Sequence, residues 1–476
     1  MMALLLPSCS QSADNLPPRW SEASRCPANR YGADGPPIHD AAPWLLVPPA
    51  ARSAIEAAEK VRPAQRRAFT SLLSKLERQQ PVSVVSVGGS MTAGMMCDDV
   101  LARRRMRNCS YPERFVELLR TAFYPPRERA LLSHANRATG GTTTAAFLPQ
   151  MDVLLAAHAD AAVLADLLLV DFSANDEFEE QDWGLPSSAE VSRFLKQDKV
   201  FAATEVLLRR LAHVAPATAV LMVEGAAITT ATGACHRQKL KCEPRLKEPR
   251  DVSGAQLAAQ LYGMAYVRYP LMVKLRGVDY PRVNHPPYKI HIHIAAACLV
   301  WFCVFSSQLQ QRELPELSSP VLLSRYVVCA KPQSRFDAAS HFKRGNTSLE
   351  TPQGDWRLLQ DRPDKFGWIA HRRGQTIEFP LKFGPSPRVT LVYTQGYDRW
   401  GEVNVTFSGS SESFVLNAHH EQRTTVSSSL VMNVARNKMQ RVDGGVKGFS
   451  IRPYETRTLR LRLLSKTFKI ISVTSC

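Results

Sequence analysis

The sequence has no apolar run of the roughly 18 residues that a membrane-spanning helix requires. Its best stretch, residues 294–305 (IAAACLVWFCVF), is shorter, follows a His-rich segment, and reads as a buried helix or strand. No Lys or Arg precedes Arg19, so the apolar start MMALLLPS lacks both the charge and the length of a signal peptide. That predicts either a protein that is not exported or a misplaced start codon. No CxxC pair, no Cys/His zinc spacing, no RNA-recognition aromatic signature and no basic helix leading into heptads is found, so neither nucleic acid nor a metal is expected as a partner. There is no internal repeat. At 476 residues, 45% hydrophobic and 22% charged, the chain is long enough for two or three cored domains, which excludes a disordered tail, a collagen or a coiled coil.

Charge is abundant and one-sided. Sixty Lys and Arg against 43 Asp and Glu leave +17. Residues 331–476 hold 23 basic and 12 acidic side chains, so the C-terminal third supplies most of the excess. An anionic glycan at this basic C-terminal region is one partner the charge admits.

The ten cysteines include two pairs close enough to close small loops, Cys97 with Cys109 and Cys235 with Cys242. Sequons stand at Asn108, Asn346 and Asn404. Together they favour the secretory pathway or an extracellular location, with a cytoplasmic protein carrying free thiols as the alternative.

Residues 1–50 are Pro-rich without a sustained period, a poorly ordered lead-in. Residues 51–80 carry apolar positions at helical spacing, interrupted at Pro63. Residues 81–310 alternate strands (VSVVSV at 82–87, LLLVDF at 167–172, AVLMV at 219–223, MAYVRY at 264–269) with helical patterns at 112–123 and 192–213, which predicts a parallel sheet covered on both faces. After a linker at 311–340, residues 341–476 show short alternating runs broken by turns, the pattern of an antiparallel β-sandwich or jelly roll. There Trp356, Trp368, Tyr393, Tyr397 and Trp400 are dense enough for a sugar-stacking surface, although aromatics on strands more often form the core.

The first strand runs into Gly88-Gly89-Ser90-Met91-Thr92-Ala93-Gly94 and puts a serine at its carboxyl end, where open α/β sheets place their sites. This is not a G-x-S-x-G elbow, and without Gly-Lys-Ser/Thr it is a poor phosphate loop; a plain tight turn is the bland alternative. Three further blocks follow in order: Asn136-Arg-Ala-Thr-Gly-Gly141-Thr-Thr, Val170-Asp-Phe-Ser-Ala-Asn175-Asp176, and Asn284-His285-Pro286 with His291 and Ala295. With the first, they resemble the four sequence blocks of the SGNH hydrolases, the GDSL esterase/lipase superfamily, over about residues 81–310. The resemblance implies a three-layer, flavodoxin-like parallel sheet domain, here followed by an all-β domain.

It also implies a serine ester hydrolase that needs no cofactor and works through an acyl-enzyme, on a small-molecule or O-acylated carbohydrate ester. Ser90 would be the nucleophile and His285 the base, with the N–H groups of Ser90 and Gly141 and the Asn175 amide as oxyanion donors. The family's Asp three residues before the His is Arg282 here, which cannot accept the imidazole N–H. Asp279, six residues before His285, could take its place if Pro281 turns the chain, or a backbone carbonyl could hold the tautomer. That departure keeps two alternatives open: a catalytically weak or inactive glycan-binding module of the same fold, and an O-acyltransferase. His285, His291 and His293 also admit a metal reading, but no Cys or carboxylate completes the set. The run Arg103-Arg104-Arg105-Met106-Arg107 reads as a solvated loop or an anionic-substrate contact.

Overall fold

The structure is a computed structural model describing residues 53–54, 57–95, 97, 109–151, 165–176, 199–225, 253–269, 288–311, 332–344, 352–362, 365–419, 425–434, 438–439, 446–447 and 449–476. The Pro-rich lead-in, the Arg103–Arg107 run, Cys235, Cys242, Asn108 and Asn346 lie outside the described residues. The chain forms two compact units: Met1–Gly140 with His158–Ala231 and Cys242–Arg325, and Gly141–Ala157 with Thr232–Lys241 and Tyr326–Cys476.

The first unit is built on five parallel strands, β1 (Val82–Gly88), β2 (Leu132–Asn136), β3 (Leu167–Asp171), β4 (Ala219–Glu224) and β5 (Ala265–Arg268), in the order β2-β1-β3-β4-β5. Strands β3, β4 and β5 are buried along their whole length, as parallel strands covered on both faces must be. Helices α1 (Pro63–Glu77), α2 (Tyr111–Phe123), α3 (Lys199–Val214), α4 (Gly254–Leu261) and α5 (Tyr288–Gln311) accompany the sheet. The apolar stretch 294–305 lies inside α5. There Phe302 and Phe305 pack on Phe69 of α1, the latter edge-on at 4.9 Å, and Phe302 also meets Phe115 of α2. Alternate strand residues such as Val84, Leu169 and Leu221 join this core, while Leu168, Val170 and Met222, of opposite parity, are buried as well.

Two polar devices tie helices to the sheet. Gln65 of α1 donates Nε2–H to the Thr218 carbonyl at 3.0 Å and accepts the Val220 N–H at 2.8 Å, so a buried side chain completes the entry of β4. At the opposite end of the same strand, Glu224 accepts from Arg268 Nε at 2.9 Å, from Ser253 Oγ at 2.8 Å and from the Tyr266 hydroxyl. Ser253 also caps α4 through the Gln256 N–H. A buried ion pair stabilises little in net terms, but removing either partner strands a charge.

The second unit holds β6 (Ser334–Asp337), β7 (Gln353–Gly354), β8 (Arg357–Arg362), β9 (Lys365–Ala370), β10 (Thr376–Lys382), β11 (Arg388–Gly396), β12 (Glu402–Phe407), β13 (Ser413–Asn417), β14 (Thr425–Asn433), β15 (Lys438–Met439), β16 (Val446–Lys447), β17 (Thr456–Ser465) and β18 (Phe468–Ser475). Two antiparallel sheets, β13-β12-β17-β10-β7 and β14-β11-β18-β9-β8, share one apolar core. Strand β6, inside the stretch expected as linker, pairs with β18; its four residues SRFD carry no alternation that sequence could reveal. Trp356, Trp368 and Tyr393 are buried in the core and Trp400 packs against it, which leaves Tyr397 as the exposed ring of the five.

Cys97 and Cys109 form the expected disulfide, with Cα atoms 6.0 Å apart. Cys303 and Cys476 are each engaged in a disulfide as well, and Cys298 is a buried free thiol.

Gln65→Leu keeps the volume but leaves the Thr218 carbonyl and the Val220 N–H unpaired in the interior. The expected loss is about 2–4 kcal/mol, read as a shift of the urea unfolding midpoint. No shift would mean that these backbone groups find other partners.

Candidate active site

The strand order makes the chain run from β1 outward to β2 and then cross to β3 on the other side. That reversal makes a topological switch point at the carboxyl ends of β1 and β3, the place where sheets of this kind bind ligands. Ser90 follows β1 and Asn175 follows β3, and the two strands end in register, Gly88 opposite Asp171.

The Ser90 turn is fixed from three sides. Its own backbone closes it, Ala93 N–H to the Gly89 carbonyl and Met95 N–H to the Ser90 carbonyl, both at 3.0 Å. The Asp171 carbonyl accepts two bonds from it, from Gly89 N–H and from Thr92 Oγ1, both at 2.9 Å. From β2, Asn136 donates Nδ2–H to the Thr92 carbonyl at 2.7 Å and accepts the Ala138 N–H at 3.0 Å, clamping the first block to the second. A Cβ on Gly88 would fall 2.1 Å from the Asp171 carbonyl oxygen, so only glycine lets β1 pass β3 this closely.

The same Asp171 organises the third block with its side chain. Its Oδ1 accepts the Ser173 N–H at 3.0 Å and the Ser173 hydroxyl at 2.6 Å, starting the one-turn helix Ser173–Asp176 that carries Asn175. Burial pushes the Asp171 carboxyl from its ordinary 3.8 to about 6, against the pull of the Ser173 bonds and with help from the Glu224 charge. Its Oδ2 has no hydrogen-bond partner among the described residues and abuts Gly225. The Tyr111 hydroxyl lies close enough to feel this charge without reaching hydrogen-bond geometry, and burial first, then Asp171, pushes that phenol well above its usual range.

Ser90 is buried, and among the described residues neither its hydroxyl nor its N–H makes a hydrogen bond. Asn175 is buried in the short helix, its own N–H on the Phe172 carbonyl at 2.9 Å. Gly141 belongs to the second unit. It sits at φ +79°, its carbonyl accepts the Ser427 N–H at 2.5 Å, and its own N–H is unengaged among the described residues. His285, Asp279 and Arg282 lie outside the described residues. His291 accepts the Tyr111 N–H on Nδ1 at 3.1 Å, and so caps α2 where the Ser110 side chain does not; that nitrogen is taken. Among the described residues, no three His, Cys, Asp or Glu side chains converge as a metal would need.

Sequence reasoning missed Asp171 and Asn136 as organisers. The signal was there for one of them: a carboxylate closing the apolar strand LLLVD is expensive to bury and needs a local reason. Because the folded carboxyl titrates near 6 and the unfolded one near 4, the unfolded chain releases its proton first as pH rises. Stability is therefore lost between about pH 4 and 6, by about 3 kcal/mol in all. Asp171→Asn, which keeps an oxygen for Ser173, should flatten that slope relative to wild type in urea melts across this range; parallel slopes would contradict the assignment.

No protein-family model matches the chain, and no curated protein matches it. Among solved structures it is similar to a two-domain esterase active on acetylated mannans, with 14% identity, 86% of this chain and 94% of that chain covered, and a TM-score of 0.52. The same esterase co-crystallised with mannopentaose gives 14% identity, 88% and 97% coverage, and 0.52. A putative GDSL-like lipase from Parabacteroides merdae ATCC 43184 aligns with 48% of this chain and 96% of its own, at 16% identity and a TM-score of 0.31. The fold is thus an α/β domain on a parallel sheet together with a β-rich domain of antiparallel sheets, similar to that of the two-domain esterase.

Proposed function

We propose that the protein is a serine ester hydrolase acting on an O-acylated carbohydrate. The reading is carried by Ser90: a buried serine at the topological switch point, with hydroxyl and N–H both unengaged among the described residues. A serine placed only to close a turn would use its hydroxyl within the turn. The two-domain architecture shared with an esterase active on acetylated mannans supports the carbohydrate ester as substrate.

In this mechanism Ser90 Oγ attacks the acyl carbonyl and passes its proton to His285. The charge on the carbonyl oxygen is met by the N–H groups of Ser90 and Gly141 and by the Asn175 amide. The tetrahedral intermediate collapses with release of the sugar alcohol, which takes the proton back from His285, and water then cleaves the acyl-enzyme by the same route. Asp279 holds the imidazole in place of the missing carboxylate at Arg282. An acceptor sugar hydroxyl in place of water would make the protein an O-acyltransferase.

Ser90→Ala should abolish both the burst and the steady-state release of phenol from an aryl acetate. Asp279→Asn should lower turnover by about 10³–10⁴ with folding unchanged. Unchanged turnover in Asp279→Asn would remove that residue from the mechanism. Equal release by wild type and Ser90→Ala would retire the esterase and leave the inactive glycan-binding module.

We further propose that the protein passes through the secretory pathway, on the strength of its disulfides. Asn404 of the Asn-Val-Thr sequon lies on β12 with Thr406 on the accessible side, while Val403, Val405 and Phe407 point into the core. Peptide mass spectrometry of protein from its native source should find glycan on Asn404. Bare Asn404 together with reduced Cys97 and Cys109 would place the protein in a reducing compartment.

A further inference from the structure

Three turns meet at one end of the second unit's sandwich: 371–375 between β9 and β10, 397–401 between β11 and β12, and 466–467 between β17 and β18. They are knit together. Thr467 donates its N–H to the Arg399 carbonyl and Gly401 its N–H to the Thr467 carbonyl, both at 2.9 Å. His371 Nδ1 lies 3.1 Å from Thr467 Oγ1, and the Lys466 ammonium reaches the Asp398 carbonyl at 2.8 Å.

This end exposes four cations, Arg372, Arg373, Arg399 and Lys466, beside the exposed ring of Tyr397. Elsewhere in the unit three cations are matched, Arg460 with Glu378 and Arg457 with Glu455, both at 2.6 Å, and Lys469 with Asp361, while Arg357, Arg388, Arg452 and Arg462 stand apart from one another on separate strands and turns without an ion-paired carboxylate among the described residues. None of the four cations at this end has a carboxylate within ion-pair distance among the described residues. The nearest acids are otherwise arranged, since Asp355 accepts the Thr376 N–H at 2.6 Å and Asp398 and Glu402 pair with none of them.

We propose that this end of the sandwich binds an acidic polysaccharide, whose carboxylate or sulfate groups pair with the guanidinium and ammonium groups while Tyr397 stacks on a sugar ring. The occupant is not a membrane, because the cluster offers no exposed aliphatic side chain to enter a bilayer. It is not a nucleic acid, because one ring makes no platform for successive bases, and the formed disulfides belong to a compartment where the abundant polyanions are glycans. The inference does not depend on Ser90 chemistry, so either can fail alone.

Affinity electrophoresis of the full chain through gels containing polygalacturonate, dextran sulfate or neutral galactomannan tests it. Retardation is expected in at least one acidic gel and not in the neutral one, with the retaining gel naming the group that pairs. Replacing Arg372, Arg373 and Arg399 together by Ala should weaken it by about tenfold or more, and Tyr397→Ala by several-fold. A control of equal charge change, Arg457, Arg460 and Arg462 to Ala, should stay within about twofold, with thermal midpoints confirming that all variants fold. No retardation in either acidic gel, an equal loss in the control, or equally tight binding of single-stranded DNA or phosphatidylserine vesicles would overturn the proposal.

Discussion

One residue, Asp171, couples the two sides of the switch point. Its carbonyl holds the Ser90 turn through Gly89 and Thr92, and its carboxylate starts the short helix of Asn175 through Ser173. The Ser90 turn and the helix of Asn175 are thereby referenced to the same residue. A site that stabilises a developing oxyanion needs donors fixed before the reaction begins, and a shared anchor on a buried strand fixes them better than two independent loops could. The cost is a carboxyl group kept at the sheet edge against its preference for water, visible in its raised titration point.

The neighbouring polar devices follow from the same constraint. Parallel strands buried on both faces leave no solvent to satisfy backbone groups at their ends, so side chains must do so. Gln65 does it where β4 begins, and Asn136 does it for Thr92 beside Ser90. His291 does it for the first N–H of α2, which explains a buried histidine without invoking a metal. In the second unit the division is simpler. Its large rings fill the space between the sheets, and what remains outside is charge, some of it paired and some of it gathered at one end.

The sheet of the first unit was legible where strands are long runs of apolar residues. VSVVSV, LLLVDF, AVLMV and MAYVRY each fall on a parallel strand, to within a residue at either end. Strand β2 was not, because LSHAN is an edge strand of five residues with a mixed burial pattern and no run to find. The alternating pattern of the C-terminal region announced antiparallel strands but not the shortest of them, since two-residue pairings such as β15 with β16 are fixed by tertiary contacts and not by composition. The strand-end position pointed to Ser90 and the resemblance to the SGNH blocks to Asn175, and adjoining strand ends carry both to one end of the sheet. Neither signal could pick out Asp171 and Asn136, whose importance lies in bonds to residues 44 to 79 positions away.

The central claim is that Ser90 is a nucleophile and not the hinge of a turn. The most direct measurement is intact-protein and peptide mass spectrometry after incubation with a fluorophosphonate, which modifies only serines activated by a base. A single adduct on the peptide carrying Ser90, absent from Ser90→Ala, is the result this account predicts. A folded protein that stays unlabelled, or one labelled at another residue, would contradict it.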